Sequence, residues 1–165
     1  MYRGLFLPLV LVIAVIAYAK PKIESHMGDN CIELLPIDTA QLNSAYRTLS
    51  INPDNKEAQE QFFNAFPKNW SEFIITYQYD DSEDYDLTMY FLADDHITTL
   101  GEKLTLIDKY TYYKRLISLG IGGSWDADAP NYLQSLLHSK MKENTTTMLE
   151  CLSQLDREKQ LQFWA

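Results

Sequence analysis

Residues 102–119 read EKLTLIDKYTYYKRLISL, and this stretch decides the fold. Leu104, Leu106, Ile107, Tyr110, Tyr113, Leu116 and Ile117 fall at helical spacing and spread over more than one face. A helix that is apolar on most sides has to be surrounded by other helices. The spacing therefore predicts a central helix over 102–119, ended by Gly120-Ile121-Gly122-Gly123. Downstream, Asp128 is placed to cap a helix whose first turn tolerates Pro130, with Leu133, Leu136, Leu137 and Met141 on its core face. Asn144 or Thr145 opens the last helix and turns Met148, Cys151, Leu152 and Leu155 inward. Upstream, Leu87, Tyr90, Phe91 and Ile97 share one stripe, and Gly101 is expected to break that helix because glycine costs about 1 kcal/mol there.

Working further toward the start, Asn69 and Glu72 have the spacing of a capping box, followed by the stripe Trp70, Phe73, Ile74 and Tyr77. A helix over about 54–66 buries Ala58, Phe62, Ala65 and Phe66 and stops at Pro67. Asp38 can cap the first helix, with Leu42, Ala45, Tyr46 and Leu49 on one face. No stretch sustains the period-2 alternation of a hairpin. The expectation is an all-α fold of about seven short antiparallel helices, arranged as a globular bundle or as stacked helical hairpins. The aromatic end Gln162-Phe163-Trp164-Ala165 either docks on the core or continues into a longer product.

The first nineteen residues carry a different signal. A short basic start, Met1-Tyr2-Arg3, precedes an apolar run, and Ala17-Tyr18-Ala19 supplies the small-x-small ending of a secretory signal peptide. The run Leu5–Ala19 has 15 residues, short of the roughly 18–20 that span a bilayer. Cleavage after Ala19, with no stable membrane insertion afterwards, is expected; a retained anchor is the alternative. Residues 20–30 read as a polar lead-in and 31–165 as a single helical domain. The location implied is periplasmic or secreted.

Charge narrows the partners. The chain is formally −9, and removing Arg3 with the leader leaves 13 basic against 23 acidic residues, or −10. Nucleic acid and anionic membranes both require a basic footprint, so neither is expected as a partner. A basic protein suits this field. Five carboxylates, Asp80, Asp81, Glu83, Asp84 and Asp86, lie within seven residues and form the expected partner-binding surface. They do not fit a calcium loop, since the sixth position lacks Gly and Phe91 stands where the bidentate acid belongs. No metal or cofactor is expected. In an oxidising compartment Cys31 and Cys151 are expected to pair, a closure worth about 5 kcal/mol at most. Two separate buried thiols are the alternative.

Catalytic motifs are missing from the sequence. There is no His-Glu-x-x-His or Gly-x-Ser-x-Gly, and the Gly-x-Gly-Gly at 120–123 lacks the strand and Lys-Ser/Thr of a phosphate loop. In Asp94-Asp95-His96, helical geometry puts Asp94 on the apolar stripe and turns His96 about 200° away. Trp125 beside Asp126, with Trp70, could stack on a sugar and bond its hydroxyls. The simpler reading makes Trp125 a plug between two helices. Carboxylates of a glycosidase hidden among 23 acids are not excluded by spacing.

The stretches Ala65-Phe66-Pro67-Lys68-Asn69-Trp70-Ser71-Glu72-Phe73 and Gly122-Gly123-Ser124-Trp125-Asp126-Ala127-Asp128-Ala129-Pro130 resemble those of uncharacterised secreted helical proteins of Gram-negative bacteria. In size, export signal, helicity and acidity the chain is also similar to periplasmic immunity proteins that neutralise cell-wall amidases. The resemblance implies an exported binding domain, an inhibitor or immunity protein in its concrete form, and carries no site residues across. The rival expectation is a glycan-binding protein or glycan-acting enzyme using Trp125, Asp126 and Trp70.

Overall fold

The computed structural model describes residues 37–82, 86–125 and 128–165. The leader, the lead-in and Cys31 lie outside them. Among the described residues there are nine helices and no strand, so the fold is all-α. α1 (Thr39–Ile51) and α2 (Lys56–Ala65) form a packed pair. α3 (Trp70–Tyr77) leads into the single turn α4 (Thr88–Phe91) and then α5 (Ala93–Glu102). α6 (Lys109–Gly120) is followed by α7 (Asp128–Glu143), α8 (Thr145–Ser153) and α9 (Arg157–Trp164).

Most caps are those the sequence sets. Asp38, Asn55, Asn69 and Asn144 each accept a backbone N–H from three residues ahead. Glu72 returns the favour one residue earlier than a standard box, accepting from the Lys68 N–H at 2.7 Å and from the Asn69 amide. Asp128 opens the described part of α7, and its carboxylate accepts from the Tyr90 hydroxyl.

α6 is the centre. It packs against α3, α7 and α8, while α5 packs against α7. Tyr112, Tyr113, Leu116, Ile117 and Leu119 are buried on α6. The buried phenols are satisfied: Tyr112 donates to the Leu100 carbonyl at 3.0 Å and Tyr113 to the Lys140 carbonyl at 3.3 Å.

The central helix is shorter than the sequence predicts. It starts at Lys109, capped by Asp108, which accepts from the Thr111 N–H. Leu104 is buried from the preceding loop and Leu106 is exposed. Gly101 does not break its helix, which runs through to Glu102. What holds the 103–108 loop is Gln59, fully buried on α2. Its amide accepts from the Leu106 N–H at 2.8 Å and donates to the Pro53 carbonyl at 2.7 Å, joining two loops. A buried amide with both ends paired satisfies groups that would otherwise cost about 1–3 kcal/mol each.

The two extra helices come from two interruptions. Leu92, the C-cap of α4, restarts the chain as α5. The second lies after Ser153, where Asp156 caps a new helix by accepting from the Lys159 N–H. The end of the chain docks through Phe163, whose ring lies against Gly120, while Trp164 is largely exposed. A Cβ at Gly120 would stand 2.9 Å from the Phe163 ring and 3.1 Å from Leu137. Gly120→Ala is therefore expected to lift α9 from the core at a cost of about 1 kcal/mol, typical of overpacking. Limited trypsinolysis at Arg157 and Lys159 should accelerate severalfold, with only a small fall in the unfolding midpoint. Unchanged cleavage there would show that Phe163 does not hold the helix down.

Candidate functional site

The described residues contain an aromatic groove of about 590 Å³. One wall comes from α3, whose cap at Asn69 starts the helix so that Trp70, Phe73, Ile74 and Tyr77 line it. Phe73 and Tyr77 are core residues. Trp70 is half-buried and stacked on Phe73, with centroids 5.8 Å apart at 25°. The helix stops at Tyr77 because Gln78 is extended (ψ 149°), which carries Tyr79 outward to 61% exposure. The other walls are Tyr90 of α4, Ser124, and Asp128, Ala129 and Pro130 of the first turn of α7. Tyr79 and Tyr90 meet edge to face at 5.2 Å, and Phe91 follows Tyr90 at 5.4 Å with 72% of its surface exposed.

Two residues of the acidic run adjoin the lining in sequence: Asp80 directly follows Tyr79, and Asp86 lies four residues before Tyr90. Asp80 accepts from the Ser82 N–H at 2.8 Å and Asp86 from the Thr88 N–H at 2.9 Å. The backbone bond from Ser82 holds the Asp80 carboxyl below its ordinary range, and hydrogen bonding from Thr88 does so for Asp86. Both are ionised at neutral pH. Asp81 is exposed; Glu83 and Asp84 lie outside the described residues, as does Asp126. Among the described lining residues Asp128 is the ionisable carboxylate, and none is Lys or Arg. Its bond to Tyr90 raises that phenol above its ordinary value.

Of the residues singled out in the sequence, Trp70 lines the groove. Trp125 does not line it: its ring lies over Gly123 and meets the Trp70 ring edge to face at 5.3 Å. Those contacts are those of a plug between α6 and α7. Asp128 and the pair Tyr79 and Tyr90 were not legible as site residues. Only the tertiary approach of α4 to α7 brings them together, 38 residues apart.

His96 reverses the sequence expectation. It is fully buried, while Asp94 is exposed. The buried stripe of α5 is Ala93, His96, Ile97 and Leu100, in helical register with the buried Met89 of α4, whereas Phe91, on the stripe the sequence suggests, is 72% exposed. His96 Nδ1 shares a 3.1 Å hydrogen bond with the Tyr77 hydroxyl, and Nε2 has no partner. The Tyr46, Phe62 and Tyr77 rings surround it. Burial pushes its pKa down to about 4, only partly opposed by Asp95. A neutral imidazole enclosed by rings is a structural group with no access to substrate.

Among the described residues there is no disulfide, and Cys31, expected to pair with Cys151, lies outside them. Cys151 is a buried free thiol on the inner face of α8, and burial raises its pKa. That environment suits a small core hydrophobe. Among the described residues no group of three or more His, Cys, Asp or Glu is placed to hold a metal, and no helix is long and apolar enough to cross a membrane. Compared with known proteins, the chain matches no family model, no curated protein and no solved structure.

Proposed function

We propose that this chain is an exported, acidic helical protein-binding domain that engages a basic protein partner through the face formed by residues 80–86 and the adjoining aromatic groove. Its concrete form is an inhibitor or immunity protein acting outside the cytoplasm. The observation that supports this reading is an aromatic groove whose lining residues Tyr79 and Tyr90 adjoin the ionised Asp80 and Asp86 in sequence, with no basic residue among the described lining residues. Interfaces concentrate their energy in aromatic anchors and use charge for steering and register. Export rests on the leader pattern of residues 1–19. A glycan-acting protein is the weaker reading, because the Trp125 ring is already occupied by Gly123 and Trp70.

The test is direct. Tagged mature protein captures partners from a periplasmic extract, and each captured protein is identified, purified and measured kinetically. Replacing Asp80, Asp81 and Asp86 with Lys is expected to slow association about tenfold at low salt, with less effect at high salt. These side chains sit at the surface, so helicity should be retained. An association rate indifferent to charge reversal and to salt would reject the acidic face as the binding surface.

A further inference from the structure

Resting on the reading of the acidic face as a protein-binding surface, we infer that the aromatic groove is a slot for an arginine side chain from a basic segment of the partner. Three features select this occupant. The lining carries the aromatic rings of Trp70, Phe73, Tyr77, Tyr79 and Tyr90, with Tyr79 and Tyr90 edge to face at 64° so that their planes differ. A planar guanidinium stacks on such faces and is weakly hydrated, which an ammonium is not. Asp128 supplies the fixed charge. Among the described residues only Tyr90 donates to its carboxylate, through one oxygen, and the lining offers no cation to neutralise it. A carboxylate has lone pairs left for the forked donors of arginine. Finally, the groove holds about 590 Å³, within the range of small-molecule pockets and so ample for one arginine side chain. The ionised Asp80 and Asp86, adjoining the lining residues Tyr79 and Tyr90 in sequence, add negative field that attracts a basic segment.

The probes are the acetylated, amidated peptide Gly-Gly-Arg-Gly-Gly and its lysine and citrulline analogues. Binding to the full mature chain is followed by Trp70 fluorescence and by amide shifts in α3 and α7. The arginine peptide is expected to bind about tenfold more tightly than the isosteric, uncharged citrulline peptide, with lysine between them. Asp128→Asn keeps an acceptor for Tyr90, and Tyr79→Ala removes an exposed ring. Each should weaken the arginine peptide five- to tenfold while leaving thermal unfolding in place. Equal binding of arginine and citrulline, or affinity that neither variant lowers, would overturn the slot. A lysine peptide that binds as tightly as the arginine one would overturn the choice of guanidinium. The two readings fail separately. If the slot is wrong, charge reversal at 80, 81 and 86 still slows the partner. If the acidic face is wrong, that reversal has no effect while the arginine peptide still requires Asp128.

Discussion

Acidifying the folded protein from pH 7 to pH 4.5 is expected to remove roughly 2.5 kcal/mol of stability through His96 alone, and a variant lacking that imidazole should lose much less. The folded pKa of about 4 lies below the ordinary 6.5 of an exposed imidazole. Between those values the unfolded chain binds a proton that the folded protein does not, so stability falls as pH falls. The loss begins near pH 6.5 and is complete below pH 4, at roughly 3 kcal/mol. That is a large part of the 5–15 kcal/mol typical of a domain. The helix-capping carboxylates Asp108 and Asp156 behave differently. Backbone N–H bonds hold their folded pKa values below the ordinary 3.8, so their contribution is lost only at more acid pH. The limb between pH 6.5 and 4 therefore separates the imidazole from the caps.

The variant has to respect Tyr77, whose buried hydroxyl is paired with His96 Nδ1. His96→Leu alone leaves that O–H unpaired at a cost of about 1–3 kcal/mol at pH 7. Adding Tyr77→Phe removes the unpaired group and should recover part of the loss. Urea unfolding of the double variant from pH 7 to pH 4.5 is expected to show a much flatter profile. At pH 4.5 it should equal or exceed the wild type. A wild-type profile flat from pH 6.5 to 4.5, or a double variant with the same slope as the wild type, would contradict a neutral buried imidazole.

His96 also marks the boundary of what the sequence reveals. Composition and spacing specify an all-α fold because the signals are local. The apolar residues of α1, α2, α3, α7 and α8 lie on single stripes, and Asp38, Asn69 and Asn144 announce helix starts within a turn. Which of two adjoining apolar stripes turns to the core is not local. The stripe drawn through Leu87, Tyr90 and Phe91 lies to one side of the one that is buried, Met89, Ala93, His96, Ile97 and Leu100, so His96 faces in and Asp94 out. The same limit governs the candidate site. The acidic run is visible as composition, and Trp70 as part of a stripe. The groove is not, because Tyr79, Tyr90 and Asp128 become neighbours only when α4 approaches α7. Gln59 and Arg115 escape for a related reason: each joins loops or helices about 50 residues apart, and a lone polar residue in a helix carries no sign of its partner.

Arg115 carries the other large effect: its replacement by Ala is expected to cost about 3 kcal/mol. α2 ends at Ala65 without a basic residue in its last turn, and Phe66 is extended (ψ 148°) ahead of Pro67, so no left-handed cap closes it. Its last carbonyls are left without intrahelical partners. Arg115 reaches across from α6 and supplies a cap in trans. Its Nη1 donates to the carbonyls of Phe63, Phe66 and Pro67 at 3.0, 3.2 and 3.4 Å. The guanidinium also lies over the Phe63 ring at 4.5 Å. Burial pulls its pKa below the ordinary value, with Glu72 acting in the opposite sense, yet it stays charged at neutral pH. Hydrogen bonds from a charged donor are worth about 1.5–3 kcal/mol, and the ring contact adds about 1. Arg115→Lys keeps a cation beside the end of the helix but is one bond shorter and loses the planar stacking. It should recover about half of the loss. Arg115→Met keeps the stem and discards the charge together with its desolvation cost, and should fall between Lys and Ala. Urea midpoints at constant m-value provide the ranking. If all three variants match the wild type, the end of α2 is held by packing alone.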